Sequence, residues 1–373
     1  MTDGSGAPVA TRGPVRVVGT GLLGTSIGLC LATRGVDVVL HDASRTALAL
    51  ARDLGAGRTP APDDEPVRLV VVAVPPDITA DVVLAELAAH PGAVVTDVAS
   101  VKQYVLDELR TAGADLGRYV GSHPMAGREL TGPAAAVPDL FVGRPWVITE
   151  PATPAATLAV RTLAADLGAV PVLMAAAAHD AAMALVSHVP QVAASLVAGR
   201  LTDAPEAALA LAGQGVRDVT RIAASEPRLW TSILAANAGP VRDVLVQLRA
   251  DLDAVIDALA LADRATGPET VAAGALAAVN RTIAHGNTGA ARIPGKHGGA
   301  HREYHVVTVL VPDAPGELAR LLTDVGHAGV NLEDLRMEHS PRTPMGMAAI
   351  SVMPDRAEHL ERELAARGWR LAS

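Results

Sequence analysis

Two groups of polar residues in the first half of the chain have the chemistry needed for proton transfer. Ser100 and Lys102 follow an apolar run that ends at Asp97, and Ser122 and His123 follow the next such run. A histidine titrates near neutrality and can act as a general base. The carboxyl ends of neighbouring parallel strands lie side by side, so both groups are expected at one site. Taken alone, His123 could equally be a structural histidine.

A glycine-rich turn near the N-terminus has the spacing of a dinucleotide-binding site. The β-branched run Val15–Val18 leads into the GxGxxG segment Gly19–Gly24, and helical spacing follows. The first glycine permits a tight turn, the second lets the pyrophosphate approach, and the third lets the helix pack on the strand. Amides at the start of the helix would face the phosphates. The predicted cofactor contacts here are Gly19, Gly21, Leu22, Leu23 and Gly24.

An acidic residue after the second predicted strand indicates which dinucleotide binds. Asp42 lies roughly twenty residues beyond the glycine-rich turn, where a carboxylate meets the ribose 2′-hydroxyl. It would repel the 2′-phosphate of NADP and so favours NAD, although Arg45 keeps NADP open. Asp42 could also cap a helix before Ser44. Val74 and Pro75, after the third predicted strand, are expected to line the cofactor. No metal site is predicted.

Short β-branched runs alternate with helical patterns over residues 15 to 175, which predicts a mostly parallel sheet covered on both faces. The predicted strands are Val15–Val18, Val36–Leu40, Leu69–Val74, Ala93–Asp97, Tyr119–Val120, Trp146–Ile148 and Val170–Leu173. From Ala175 to Ala284 the strand signals vanish, and stretches rich in Ala, Leu and Val predict helices. The expected fold is an α/β Rossmann domain, then an all-α domain for substrate and dimerisation, then a small α+β domain.

The C-terminal part is predicted to be a separate domain after a linker. The segment Gly286–Ala300 is rich in glycine and basic residues without an apolar period, which is typical of a mobile linker. The order β-α-β-β-α, with a possible last strand, indicates a ferredoxin-like split unit. Its predicted elements are Tyr304–Val311, Pro315–Gly329, Val330–Glu338, Met347–Met353, Arg356–Arg367 and Trp369–Leu371. The predicted boundaries are 13–174, 175–285, 286–302 for the linker, and 303–373.

The composition of the 373 residues restricts the expected partners. A formal net charge of −9, without a block of Lys and Arg, argues against nucleic acid and against anionic membranes as partners. The single cysteine, Cys30, lies in an apolar helical pattern, which excludes an intramolecular disulfide and fits a reducing compartment. No leader and no apolar stretch long enough to span a membrane are expected. We therefore expect a cytoplasmic protein.

Several separated motifs resemble those of the prephenate and arogenate dehydrogenases. The run GSHPMAGRE at 121–129 is similar to the GSHPMAG motif of that family, and DVASVK at 97–102 is similar to its D-x-x-S-x-K segment. Three further similarities are SHVPQ at 187–191, GVRDVTRIA at 215–223 and P-x-x-W at 227–230. The resemblance covers residues 15 to 285 in the order of the family, and Val216 replaces the usual aromatic residue.

The resemblance implies NAD-dependent oxidation of prephenate to 4-hydroxyphenylpyruvate with loss of the ring carboxylate, or the matching conversion of arogenate to tyrosine. It implies that His123 takes the proton of the substrate 4-hydroxyl and that Ser100 orients the hydroxyl and the imidazole. Arg221 is expected to bind a substrate carboxylate, because a guanidinium binds carboxylates in a bidentate way. Arg217, four residues earlier, is the alternative, or one of the two pairs with Asp218.

Three more residues are assigned to the substrate pocket through the resemblance. His188 is implied as a second pocket residue, and Ser122 as a substrate contact. Glu129 either pairs with the binding arginine and gates the pocket or is a solvated surface charge. His179 is expected to be a structural histidine. A homodimer with intertwined helical domains is implied by the family.

Two C-terminal segments, VPDAPGEL at 311–318 and GHAGVNLE at 326–333, resemble the ACT module, which implies a regulatory amino-acid site. Gly316 would free a helix N-terminus for an α-carboxylate, and Asn331 would reach an ammonium group. Tyrosine is the expected feedback ligand. The alternative is a domain that only makes dimer contacts.

Two other functions are compatible with parts of the sequence. The β-hydroxyacid dehydrogenases share a similar glycine-rich start, but they normally rely on a lysine in the helical domain, and residues 175–285 contain none. A non-catalytic protein that senses NAD and an amino acid is the other alternative. The presence of His123, Ser100 and Arg221 argues against it, and a turnover assay distinguishes the two.

Overall fold

The computed structural model describes residues 9–127, 130–149, 151–263, 275–294, 304–339 and 345–372. The chain divides into one unit that ends at Arg249 and a second unit that begins at Ala250. The predicted boundary between residues 174 and 175 therefore lies inside the first unit.

A seven-stranded sheet forms the centre of the first unit. Its strands are β1 (Val15–Val18), β2 (Val38–His41), β3 (Leu69–Val72), β4 (Val94–Asp97), β5 (Tyr119–Pro124), β6 (Pro145–Ile148) and β7 (Val170–Leu173). The order is β2-β1-β3-β4-β5-β6-β7, and all neighbours are parallel except β5 and β6. All seven predicted strands are present. The prediction for β5 was too short, because antiparallel pairing of His123 with Val147 extends this strand to Pro124.

Helices cover both faces of the sheet. They are α1 (Leu22–Ala32), α2 (Arg45–Asp53), α3 (Pro76–Ala89), α4 (Gln103–Thr111) and α5 (Pro154–Asp166). Successive strand residues point to opposite faces. Val17 accordingly packs in the same cluster as Ile27 of α1, whereas its neighbour Val18 packs in the cluster of Val83 of α3. Burial on both faces explains why the strands are runs of valine instead of alternating patterns.

The rest of the first unit is helical, as predicted. The helices are α6 (Ala176–Met183), α7 (Val189–Gly199), α8 (Glu206–Leu209), α9 (Gln214–Ala223), α10 (Pro227–Ala236) and the first part of the long α11 (Ala238–Asp263), which continues into the second unit after Arg249. A π-helical segment, Ala184–His188, joins α6 to α7 without a break. Pro190 lies two residues after it, and a proline lacks the N–H and clashes with the carbonyl four residues earlier in a regular α-helix. The wider turn accommodates this proline inside the helical run.

The run Ala176–Gly199 is long and apolar enough, by length and composition alone, to cross a membrane. This result contradicts the expectation that no stretch has the length of a span. The run also carries His179, Asp180 and His188, which are buried and hydrogen bonded to other elements of the unit. These polar contacts are typical of a helix within a folded core.

The second unit contains a four-stranded antiparallel sheet. The elements are α12 (Ala275–Ala291), β8 (His305–Pro312), α13 (Glu317–His327), β9 (Asp334–His339), β10 (Met345–Val352), α14 (Pro354–Ala366) and β11 (Arg370–Ala372). The strand order is β11-β8-β10-β9. Leu321 of α13 and Leu360 of α14 pack with Val309 and Ile350 of the sheet in one core. The predicted order of elements after residue 303 is confirmed, including the last strand.

The predicted linker is wrong in its first part, because α12 continues to Ala291 and makes residues 286–291 helical. A glycine in a helix costs only about 1 kcal/mol relative to alanine, so Gly286 and Gly289 do not end the helix. Thr288 donates its hydroxyl to the carbonyl of Ala284 at 2.9 Å within the same helix. Residues 295–302 of the predicted linker lie outside the described residues.

Candidate active site

The glycine-rich turn between β1 and α1 has the geometry of a pyrophosphate cradle. Gly19 has a φ of +97°, and a Cβ atom there would lie 2.3 Å from the carbonyl oxygen of Ala73. A Cβ at Gly24 would lie 1.9 Å from the carbonyl oxygen of Gly19. A Cβ at Gly21 would contact nothing within 4 Å, so this position is open to an approaching phosphate. The first amides of α1, from Leu22 to Gly24, complete the cradle.

Asp42 lies beside this turn, at the end of β2. Its carboxylate accepts hydrogen bonds from the backbone N–H of Thr20 at 2.6 Å and from the Thr20 hydroxyl at 2.8 Å. The N-cap of α2 is Ser44, whose hydroxyl accepts from the N–H of Ala47, so Asp42 is not the helix cap. Asp42 therefore has the position expected of a ribose-binding carboxylate. Arg45 is exposed at the first position of α2.

Val74 and Pro75 also lie next to the glycine-rich turn. Val74 Cγ1 is 3.1 Å from the position that a Cβ would take at Gly19. Pro75 is exposed and is the N-cap of α3. Both residues follow β3, the parallel neighbour of β1, and thus lie at the edge of the sheet where the turn is located.

His123 belongs to a line of three hydrogen-bonded residues. Its Nδ1 is 2.9 Å from Nε2 of His179 on α6, and Nδ1 of His179 is 2.7 Å from Oδ1 of Asp180. The two rings meet edge to face, with centroids 5.1 Å apart and an interplanar angle of 78°. His123 is partly buried, whereas His179 is fully buried. This arrangement leaves Nε2 of His123 as the ring nitrogen available to a substrate.

Burial lowers the pKa of His123 well below its ordinary value, and the neighbouring His179, Lys102 and His188 lower it further. The imidazole is consequently neutral at physiological pH and has a lone pair to accept a proton. Within the described part of the chain, no three His, Cys, Asp or Glu side chains are grouped so that they could hold a metal ion.

Asp180 connects the helical part of the unit to the sheet. Its two carboxylate oxygens accept from the backbone N–H of Lys102 at 2.9 Å and of Gln103 at 2.8 Å, at the start of α4. Asn237 donates its amide to the carbonyl of Asp180 at 2.8 Å and lies 3.0 Å from Nδ1 of His188. Asp180 is thus connected to His123 through His179 and to His188 through Asn237.

His188 is buried at the end of the π-helical segment, next to Trp230, with ring centroids 6.1 Å apart. Burial, its largest cause, lowers the pKa of His188 to about 4, although Asp180 opposes this shift. A neutral His188 can donate or accept one hydrogen bond but carries no charge toward an anionic substrate.

The D-x-x-S-x-K segment is held by a buried ion pair. Lys102 Nζ bonds Oδ1 of Asp97, both side chains are fully buried, and the Tyr119 hydroxyl donates to Oδ2 of Asp97 at 2.7 Å. Burial lowers the pKa of Lys102, and Asp97 opposes this shift. Because the pair closes the loop after β4, it holds the partly buried Ser100 at the edge of the sheet where His123 is located.

The prediction that Ser122 contacts substrate is corrected by its position. Ser122 lies within β5, is fully buried, and donates its hydroxyl to the carbonyl of Asp97 at 2.8 Å. Its Oγ is also 3.0 Å from the Thr96 hydroxyl. Ser122 therefore connects β5 to β4. A serine next to a catalytic motif resembles a pocket residue in sequence, and only the strand pairing reveals that it points into the sheet.

The two candidate arginines lie on α9. Arg217 and Arg221 are one turn apart, and both are exposed. Helix α9 packs against α7, which begins directly after His188, and Ser225 donates its hydroxyl to Gln191 of α7 at 3.2 Å. Asp218 accepts from Gln214 at 2.9 Å. Glu129 lies outside the described residues.

Sequence reasoning missed three residues of the site, namely His179, Asp180 and Asn237. His179 was interpreted as structural, and the other two were not singled out. One signal was available: His179 and Asp180 are adjacent polar residues within a run of alanines. Such a pair is expensive to bury without partners, so it points to a polar contact in the core.

Comparison with known proteins relates the chain to one family. Residues 27–173 match the nucleotide-binding domain of prephenate dehydrogenase, and residues 175–268 match its dimerization domain. The chain is 41% identical to the probable prephenate dehydrogenase NovF of Streptomyces niveus, over 95% of this chain and 98% of that protein. It is 33% identical to the cyclohexadienyl dehydrogenase of Zymomonas mobilis, over 67% of this chain and 89% of that protein.

Two solved structures have a similar fold. One is the prephenate dehydrogenase of A. aeolicus in complex with hydroxyphenyl propionate and NAD⁺, with a TM-score of 0.60 and 25% identity, over 72% of this chain and 97% of that one. The other is the arogenate dehydrogenase of Synechocystis, with a TM-score of 0.58 and 26% identity, over 74% of this chain and 98% of that one.

Proposed function

Because the chain belongs to the prephenate dehydrogenase family, we propose that it catalyses the NAD-dependent oxidative decarboxylation of prephenate to 4-hydroxyphenylpyruvate. The observation that carries this proposal is the position of His123. Its neutral imidazole is supported by His179 and lies at the same edge of the sheet as the glycine-rich turn. A base beside a nicotinamide cofactor is the requirement for oxidising an alcohol carbon.

The residues around the turn fit NAD. Gly21 is open to the pyrophosphate, and Asp42 is held where it would bind the ribose. When bound, NAD supplies the acceptor for the hydride that leaves C4 of the substrate. His123 Nε2 takes the proton of the 4-hydroxyl as the hydride leaves. Loss of the ring carboxylate as CO₂ then forms the aromatic ring, and His123 returns the proton to the phenolate oxygen. Ser100 is assigned to orient the hydroxyl toward the imidazole.

A turnover assay tests the proposal directly. NADH formation is measured with purified protein, with prephenate or arogenate as substrate and NAD or NADP as cofactor. Turnover of prephenate with NAD is the expected result. Faster turnover of arogenate, which carries an amino group in place of the side-chain keto group, would change the assignment to arogenate dehydrogenase. No turnover with any combination would favour the non-catalytic sensing protein.

Replacement of Arg221 by alanine is expected to raise the KM for prephenate by about tenfold or more, with a much smaller change in kcat. The substrate carries two carboxylates, and His188 is neutral, so a guanidinium must supply the charge that binds them. Arg217→Ala on the same helix is the comparison variant. If the KM changes in Arg217→Ala but not in Arg221→Ala, the carboxylate role belongs to Arg217.

We also propose that the protein is a homodimer formed through its helical domain. The match of residues 175–268 to a dimerization domain supports this assembly. Large apolar side chains of α7 and α11 are exposed on the single chain, among them Leu196, Val197, Val246 and Leu248. Burial of such side chains in an interface stabilises association. The cytoplasmic location remains a prediction.

The C-terminal domain is proposed to be an ACT-like regulatory module that binds tyrosine. The antiparallel sheet in the order β11-β8-β10-β9, with two helices, supports a ferredoxin-like unit. Gly316, at a φ of +92°, is the N-cap of α13 and leaves the first amides of that helix open to a carboxylate. Asn331 donates its amide to Glu333 at 2.8 Å in the loop before β9. The alternative is a domain that serves only for dimer contacts.

Gly316→Val tests this regulatory proposal. We expect tyrosine to inhibit the wild-type protein. Half-inhibition of the variant should require at least about tenfold more tyrosine, because valine disfavours a positive φ. Gly368→Val is the matched control, since Gly368 has a φ of +84° in a different turn of the same unit. Equal tyrosine inhibition of all three proteins would contradict the proposed site.

A further inference from the structure

His179 bonds two groups at once, and the two bonds determine where its protons lie. Both oxygens of Asp180 accept backbone N–H groups of α4, which is the bonding pattern of a carboxylate. A carboxylate only accepts, so the 2.7 Å contact requires the proton on Nδ1 of His179. When this is the only proton on the ring, Nε2 of His179 is an acceptor. In that state the 2.9 Å contact with His123 places the proton on Nδ1 of His123.

We propose that His179 is a positioning residue that keeps His123 in the Nδ1–H tautomer, with the lone pair on Nε2. This inference rests on the proposed function, in which Nε2 of His123 takes the proton of an alcohol. In the opposite tautomer, Nε2 would carry a hydrogen and could not accept that proton. In catalytic triads an aspartate orients the catalytic histidine directly. Here His179 lies between Asp180 and His123 and transmits the same effect.

The geometry explains why an intervening histidine is needed. Asp180 belongs to α6 and is held against the start of α4, whereas His123 is in β5. The imidazole of His179, fully buried, connects the carboxylate to the base with one nitrogen on each side. It also restrains the ring of His123 through the edge-to-face contact at 5.1 Å. When His123 becomes protonated, its Nδ1–H continues to donate to Nε2 of His179, so no second proton transfer is required.

A purely architectural role for His179 makes a different prediction from a positioning role. In the architectural case, the important bond of His179 is the one to Asp180, because the Asp180 carboxylate attaches α6 to the start of α4. In the positioning case, the bond that matters is the one to His123. Asparagine and glutamine separate the two, because the amide of asparagine reaches the position of Nδ1 and the amide of glutamine reaches the position of Nε2.

The experiment compares His179→Gln with His179→Asn in the full-length protein with prephenate and NAD. We expect the glutamine variant to retain a kcat about tenfold or more above that of the asparagine variant, with KM values within about threefold of wild type. Met183→Leu, one turn later on α6 and also buried, controls for repacking of the helix. Equal kcat values, or a higher value for asparagine, would overturn the positioning role.

A measurement on the wild-type protein does not depend on the folding of either variant. In protein labelled with ¹⁵N-histidine, the signals of His123 are identified by their absence in His123→Asn. A protonated Nδ1 and an unprotonated Nε2 are expected at neutral pH, and the reverse pattern would overturn the inference. Because this spectrum requires no turnover, it separates a failure of the positioning role from a failure of the proposed dehydrogenase activity.

Discussion

Replacement of His123 by asparagine is expected to lower kcat for prephenate by about 10²–10⁴-fold and to leave NAD affinity within about twofold of wild type. The asparagine amide can still donate to Nε2 of His179 from the position of Nδ1, so the surroundings are preserved. Nothing then occupies the position of Nε2, and the substrate proton has no acceptor. Steady-state kinetics and NAD titration by fluorescence measure the two effects.

His285→Asn is the control for this variant, because His285 is an exposed residue of α12. Retention of most of the turnover in His123→Asn would contradict the assignment of His123 as the base. The pH profile gives a second check. The pKa of His123 is lowered by burial, and only its neutral form accepts a proton, so the acid limb of kcat/KM should lie below pH 6.5. An acid limb above that pH would point to a different group.

Lys102→Met is expected to lower the free energy of unfolding by about 3–5 kcal/mol, because it leaves the buried carboxylate of Asp97 without its cation. The loop that carries Ser100 follows Asp97 directly, so turnover should fall as well. Urea denaturation followed by circular dichroism measures the loss of stability.

The matched control is Arg52→Met, which removes the ion pair between Arg52 and Asp53. Their side chains are 50% and 62% exposed, respectively. A change below about 1 kcal/mol is expected there, because solvent screens exposed pairs. If the two variants were destabilised equally, the Lys102 pair would not be the buried anchor of the loop.

Local patterns were sufficient to predict the sheet and the tight turn between β1 and α1. Apolar runs such as Leu69–Val72 are typical of strands covered on both faces, and Gly19 and Gly24 lie where a Cβ atom would collide with backbone atoms. The order of elements in the C-terminal domain was also predictable, since its strands and helices have distinct periods.

Long-range contacts account for what the sequence analysis missed. The bond between His123 and His179 joins residues 56 positions apart, and the bond between Lys102 and Asp180 joins residues 78 positions apart. No local period indicates such pairs. The pairing of β5 with β6 is long-range as well. It places Ser122 within the sheet, whereas the sequence analysis predicted a substrate contact. The glycines in α12 suggested a linker, although each glycine destabilises a helix only slightly relative to alanine.

The double attachment of Asp180 links the position of α6 to the orientation of the base. Its carboxylate bonds the start of α4 on one side and His179 on the other. Because His179 and Asp180 both belong to α6, any motion of α6 away from α4 would break the bonds of Asp180 to the α4 amides and separate His179 from His123. The base would then lose the contact that orients it. One carboxylate thus makes the packing of α6 against α4 a condition for an oriented base.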